Sequence, residues 1–155
     1  MTCYPKSALR TTLRARGFTL LEMLVVLVII GMLAGLVGPR LFSKVEQSKV
    51  TTAATQAKTL RSAIESLHLD IGRYPTPEEG ISLLTKAPAD PAQAARWRGP
   101  YLDGALPDDP WGHPYQYAVP GADGQPFALY SLGADGKRGG TGDAADIGVL
   151  PAAAP

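Results

Sequence analysis

The chain of 155 residues has one cysteine and two histidines, and it carries almost no net charge. A single Cys3 excludes an intramolecular disulfide framework and any multi-cysteine zinc or iron–sulfur site. His68 and His113 stand far apart, with no nearby cysteine and no HExxH pattern, which argues against a histidine-centred metal or catalytic site. A net charge of +1 gives no global argument for nucleic-acid binding. No serine or threonine sits in a nucleophile-elbow context, and no phosphate-binding glycine loop opens a helix. The residue pattern therefore carries no enzyme signature. A hydrophobic content of 45% in turn excludes wholesale disorder.

What is present is unevenly spread. Residues 1–17 contain Lys6, Arg10, Arg14 and Arg16 and no acid. The remainder holds 11 basic residues against 14 acidic ones, a balance of −3. Between the two lies FTLLEMLVVLVIIGMLAGLV, residues 18–37, in which Glu22 is the only ionisable side chain. As a helix this stretch spans roughly 30 Å, about one hydrocarbon core. A cleaved secretory signal would have a shorter apolar core and a small-x-small cleavage site. A plain anchor fits the length, with its basic flank held in the cytoplasm. Neither reading explains Glu22, because a carboxylate inside a membrane segment costs a few kcal/mol and calls for a partner or a task.

Beyond Pro39 the polar content rises while helical periodicity continues. Ala53, Ala57, Leu60, Ile64, Leu67 and Ile71 recur at 4-3-4-3-4 spacing and share one helix face. The pattern predicts one long helix from Phe18 to about Asp70, with Gly31, Gly35 and Gly38-Pro39 as weak points and Gly72 as its terminator. Thr76-Pro77-Glu78-Glu79 has the form of a capping box and predicts a second helix ending at Ala87-Pro88. Residues 88–112 read as an ordered loop with Trp97, Tyr101, Leu106 and Trp111 as anchors. Asp108-Asp109 reads as a turn before a buried tryptophan rather than an acidic catalytic pair. Two short strands, His113–Val119 and Pro126–Leu132, are expected to flank a hairpin turn. Residues 133–148 are dominated by Gly and Asp, and 151–155 read as a disordered tail.

Asp135, Asp143 and Asp146 lie within twelve residues of one another. Three carboxylates with backbone carbonyls suit a hard cation taking six to eight oxygens, which favours calcium over zinc. The spacing is not that of an EF-hand, and acidic glycine-rich loops also serve as ordinary solvated turns.

The segment Arg16-Gly17-Phe18-Thr19-Leu20-Leu21-Glu22 resembles the start of a type IV prepilin or pseudopilin. Gly72-Arg73-Tyr74-Pro75-Thr76, Glu79-Gly80, Asp109-Pro110-Trp111-Gly112 and Ser131-Leu132-Gly133-Ala134-Asp135-Gly136 narrow the resemblance. Together they are similar to the major pseudopilin family of the type II secretion system, general secretion pathway protein G. The resemblance covers about residues 14–148.

That resemblance implies an α+β, type IV pilin-like fold: a long N-terminal helix, half membrane-spanning and half amphipathic, on a small antiparallel sheet with a calcium-binding C-terminal loop. It implies a basic leader at 1–17 that is removed, an assembly half at 18–38 and a periplasmic domain at 39–150. Gly17 would be the last leader residue, cut by a prepilin peptidase. Phe18 would become the N-methylated terminus, and Glu22 would pair with the Phe18 amine of a neighbouring subunit. Calcium would be held by Asp135, Asp143 and Asp146, with the carbonyls of Leu132, Arg138 and Thr141 as loosely matched backbone ligands. The family pattern has two adjacent aspartates where this chain separates Asp143 from Asp146 by two alanines, and a residue is added before Thr141.

The implied subunit is single-pass in the inner membrane and forms a homopolymer, the periplasmic pseudopilus, that drives export of folded proteins. Its implied partners are minor pseudopilins, an inner-membrane assembly platform with its ATPase, and the prepilin peptidase; neither nucleic acid nor a small-molecule substrate is expected. Two alternatives remain at this level. One is a pilin of a motility, adhesion or DNA-uptake pilus, although those usually carry a C-terminal disulfide loop. The other is a single-span membrane-anchored periplasmic binding module.

Overall fold

The computed structural model describes residues 17–152, without side chains at 38–40 and 42. The expected basic leader and Cys3 lie outside the described residues, apart from Gly17. The first element, α1, spans Leu20–Ile71 and runs through Gly31, Gly35 and Gly38-Pro39 without interruption. Pro39 has no N–H to give to the preceding turn, so one ladder hydrogen bond is missing there. Gly72 ends the helix with φ +82°, its N–H donating to the His68 carbonyl at 2.8 Å. That left-handed stop is the one the sequence predicts.

Chain contacts divide the molecule into two units, residues 1–41 and 42–155. Within the second unit the apolar stripe of α1 is buried as expected, from Ala53 through Ala57, Leu60, Ile64 and Leu67 to Ile71. It packs with Leu83, Leu84, Tyr115, Phe127 and Leu129 into one core.

The second helix differs from expectation. Its capping box forms, with the Thr76 N–H donating to Glu79 Oε2 at 2.9 Å and the Glu79 N–H donating to Thr76 Oγ1 at 3.3 Å. Gly80 then takes φ +54°, which no continuing α-helix accommodates, and the chain proceeds as a five-residue 3-10 turn, Gly80–Leu84. A four-residue helix, α2, Pro91–Ala94, is capped by Asp90, which accepts from the Ala92 N–H. This short helix lies within residues 88–112, for which the Pro, Gly and Asp content predicts loop.

The sheet has three antiparallel strands in the order β1-β2-β3. β1 is Gln116–Ala118, β2 is Ala128–Ser131 and β3 is Ile147–Val149. The first two are the expected strands, shortened, in a register that pairs Tyr117 with Leu129. β3 was not anticipated: it pairs Gly148 opposite Tyr130 and makes β2 the fully buried central strand. The Ala152 N–H donates to the Pro120 carbonyl, and Pro151 bridges to Gly121, so these two residues of the expected tail are tied down; 153–155 lie outside the described residues.

Tyrosines join these layers because each offers an apolar ring with a polar tip. The Tyr115 hydroxyl donates to Gln56 Oε1 at 2.8 Å and lies 3.2 Å from the Ala53 carbonyl. The Tyr117 hydroxyl donates to the Pro75 carbonyl, and that of Tyr101 to Asp70. Burial pushes the Tyr115 and Tyr117 phenols up to about 12, which keeps them as donors across the working pH range.

Candidate functional site

Two regions hold the residues singled out by the sequence. At the start of α1, Thr19 is the N-cap. Its hydroxyl accepts the Glu22 N–H at 3.2 Å, and its carbonyl accepts the Met23 N–H at 3.2 Å. Glu22 thus sits in the first turn, where a carboxylate is favoured by the helix dipole. This Thr-x-x-Glu spacing is a cap signature that the sequence reading passed over. Gly17, Phe18, Thr19 and Glu22 line one surface depression, which brings the expected cleavage, methylation and pairing residues together.

Leu20–Val37 that follow are long and apolar enough to cross a membrane, and none of that window is buried within the chain. Leu20 is 85% exposed and Met32 74%. Apolar surface on this scale is not left to water by a folded protein, so lipid or other protein must cover it.

The second region is the Gly/Asp loop between β2 and β3. The Ala134 N–H donates to the Asp143 carbonyl at 3.0 Å and closes the loop across its base. Asp135 Oδ1 accepts the Lys137 N–H at 3.0 Å, forming a local turn. Asp146 Oδ2 accepts the Gly139 N–H at 2.9 Å, while Asp146 Oδ1 is buried with no hydrogen-bond partner. Asp143 lies exposed in the short 3-10 turn Gly142–Ala144. Of the three expected backbone ligands, Leu132 is half-buried, Arg138 and Thr141 are exposed, and the Thr141 carbonyl accepts the Ala144 N–H. Among the described residues, no three His, Cys, Asp or Glu side chains already converge as a metal cluster. A buried carboxylate oxygen without a donor calls for a partner, a water or an ion.

A third cluster escaped the sequence reading, which saw a turn at Asp108-Asp109 and no more. Asp109 is buried at 4% exposure. Its Oδ1 accepts the N–H groups of Trp111 at 3.1 Å and His113 at 2.8 Å, and its Oδ2 accepts the Ser131 hydroxyl. Trp111, expected to be buried, is half-exposed, because its indole reaches outward to donate to Glu46 Oε2 on α1 at 3.0 Å. Lys49 binds the other oxygen of Glu46 at 3.0 Å. The Trp111 and Lys49 hydrogen bonds hold the Glu46 carboxyl below its usual range. The signal for this cluster was available in Asp-Pro-Trp-Gly, but its partners Glu46 and Ser131 are too distant in sequence to be inferred.

His68 stacks on Tyr74 with ring centroids 4.2 Å apart, and His113 Nδ1 lies 3.8 Å from Asp109 Oδ2.

Comparison with known proteins places these features in context. Residues 40–150 match the family model for type II secretion system protein G, and residues 12–38 match the prokaryotic N-terminal methylation motif. The type II secretion system core protein G of Pseudomonas aeruginosa is 48% identical over 132 residues, covering 85% of this chain and 92% of that one. The protein of the same name from Escherichia coli is 39% identical over 141 residues, covering 91% and 97%. The crystal structure of the major pseudopilin from the type 2 secretion system of enterohaemorrhagic Escherichia coli superposes with a TM-score of 0.57 at 30% identity, covering 71% of this chain and 93% of that one.

Proposed function

The chain belongs to the type II secretion system protein G family, a structural pseudopilin of type II secretion, and from that premise we propose how its parts work. Gly17-Phe18 is the processing site: a prepilin peptidase removes the basic leader after Gly17, and Phe18 becomes an N-methylated terminus. The apolar half of α1 first holds the subunit in the inner membrane, with the remainder in the periplasm. It leaves the bilayer by joining a bundle of identical helices, exchanging lipid contacts for protein contacts at little net hydrophobic cost. Glu22 pairs with the Phe18 amine of the adjacent subunit, so that two groups costly to bury alone offset one another and set the register. The polymer is the pseudopilus, assembled by a separate ATPase and platform together with minor pseudopilins, and it drives folded proteins across the outer membrane. The role is structural rather than catalytic.

The observation that carries this reading is the capped, wholly unburied apolar helix directly after Gly17-Phe18. Its test is a chromosomal Glu22→Ala variant, assayed for exoprotein secretion, with mass spectrometry of the membrane-extracted wild-type chain. We expect lost secretion and a chain beginning at methylated Phe18. Intact secretion in the variant would defeat the pairing, and an intact leader would indicate a plain anchor. Lost twitching with normal secretion would assign the chain to a motility pilus instead.

The Gly/Asp loop is read as a structural calcium site. The buried, unpartnered Asp146 Oδ1 fits a hard cation, as does an all-oxygen donor set. Asp146 and Asp135 would supply side-chain ligands, with Asp143 turned inward to join them and the carbonyls of Leu132, Arg138 and Thr141 as further donors. Calcium would neutralise the clustered carboxylates and pin the loop that leads into β3.

A further inference from the structure

The loop and α1 are joined by a continuous run of hydrogen bonds through Asp109. On the loop side, the Gly133 N–H donates to Ser131 Oγ at 3.0 Å, and the Ser131 hydroxyl donates to Asp109 Oδ2. On the helix side, Asp109 Oδ1 fixes the N–H of Trp111, whose indole N–H reaches Glu46. A second connection runs beside the first. The His113 N–H is held by the same Asp109 oxygen, and its ring packs so closely on the loop that a Cβ at Gly136 would lie 3.0 Å from Nε2. Asp109 and Ser131 are buried, so neither has water as an alternative partner and a shift of the loop base is passed on. At the far end, Trp111 and Glu46 are half-exposed, so water competes for their bond and its occupancy responds to small displacements.

We propose that Asp109 is a positioning residue through which a divalent cation in the Asp135–Asp146 loop tightens the Trp111–Glu46 contact on α1. Glu46 is the earliest residue of α1 with a side-chain hydrogen bond to the sheet-bearing part of the chain among the bonds described. The cation thereby controls how firmly the sheet-bearing part of the domain grips α1 at Glu46. The inference rests on the calcium reading of the loop and adds to it a route to a contact far along the chain.

The test uses the full chain in detergent micelles, with tryptophan indoles and glycine amides labelled with nitrogen-15. The chain's two tryptophans give two indole signals, and Trp97, which donates to the Leu83 carbonyl, is the internal control. Calcium chloride is titrated against an EDTA-treated sample. We expect the Gly136 and Gly139 amides to shift, the Trp111 indole N–H to exchange at least about fivefold more slowly, and the Trp97 signal to stay in place. In Asp109→Asn the glycine amides still respond but the Trp111 change is lost. Ser131→Ala, which removes the hydroxyl linking Gly133 to Asp109 but leaves the Asp109–Trp111 bond, at least halves the change and serves if the first variant fails to fold. Glycine shifts with an unmoved Trp111 indole would overturn the coupling alone, as would an undiminished indole response in both variants. Glycine amides indifferent to calcium would overturn the calcium reading and the coupling with it.

Discussion

One helix contains two regions with opposite relations to the rest of the chain. Apart from Glu22 in the first turn, Leu20–Val37 is apolar all round, and none of that window is buried. In residues 46–71 most apolar side chains lie on one buried stripe, with Leu69 as an exposed exception, and Ala53, Leu60, Ile64 and Leu67 are each at most 1% exposed. Backbone conformation is the same in both, so helicity does not distinguish them. The difference is what covers the side chains. The second stretch finds its cover within its own chain, whereas the first must find it in lipid or in other subunits. A helix that is apolar all round is suited to changing its surroundings, and a striped one is committed to a single partner face.

The sharpest way to break the comparison is to make one substitution twice. Leu60→Ala should lower the stability of the folded domain by about 2–5 kcal/mol in urea denaturation, through lost burial plus a cavity. Leu27→Ala, on a side chain 69% exposed, should change the same midpoint by less than about 0.5 kcal/mol. Equal losses would mean that the two halves are not energetically distinct.

Calcium should act only on the striped side. At saturating calcium the domain's melting temperature should rise by roughly 5 °C or more over an EDTA-treated sample, since a ligand at 100 times its Kd contributes about 2.7 kcal/mol. Superimposable melts would remove the cation from the account.

A smaller effect is expected where α1 ends. Arg73 makes a two-pronged ion pair with Glu79, at 2.6 and 2.8 Å, and also binds Gln93 Oε1. Hydrogen bonding from Arg73 holds the Glu79 carboxyl below its ordinary value of 4.5 despite partial burial. Because the folded value is depressed, the pair's contribution is present above pH 4.5 and fades as the pH falls through the lower folded value. Arg73→Ala should cost about 1–2 kcal/mol at neutral pH and flatten the acid limb of the stability profile. An unchanged acid limb would show the pair to be idle.

The smallest effect belongs to the helix stop. Gly72→Ala would place a side chain at φ +82° with open space around it, so backbone strain alone should cost about 1 kcal/mol in the same denaturation assay. A neutral result would mean that α1 can end one residue elsewhere without penalty.

Much of the fold was legible because its signals are local. The stripe from Ala53 to Ile71, the Gly72 terminator and the Thr76–Glu79 box all depend on residues within a few positions of one another, and all formed. The same locality misled at Gly80: a correct helix start was read as a whole helix, although the next residue adopts a left-handed conformation. β3 was missed because Ile147-Gly148-Val149 has no alternating pattern of useful length; it is a strand only because β2 offers it an edge. At the candidate site, Asp135, Asp143 and Asp146 were found by composition, yet only the folded loop shows that Asp146 has the buried, unpartnered oxygen.

By itself the sequence determined the long helix, its division into an apolar half and a striped half, the hairpin and the N-terminal methylation motif of residues 12–38. Periodicity, capping and charge segregation are written in neighbouring residues and need no partner to be read. Only tertiary structure decided that Asp109 is a buried hub, that Trp111 reaches out to Glu46 and that the Gly/Asp loop is joined to α1. Two of those bonds, Ser131 to Asp109 and Trp111 to Glu46, link residues 22 and 65 positions apart, and polar groups at such separations are matched by burial and geometry rather than by any pattern along the chain.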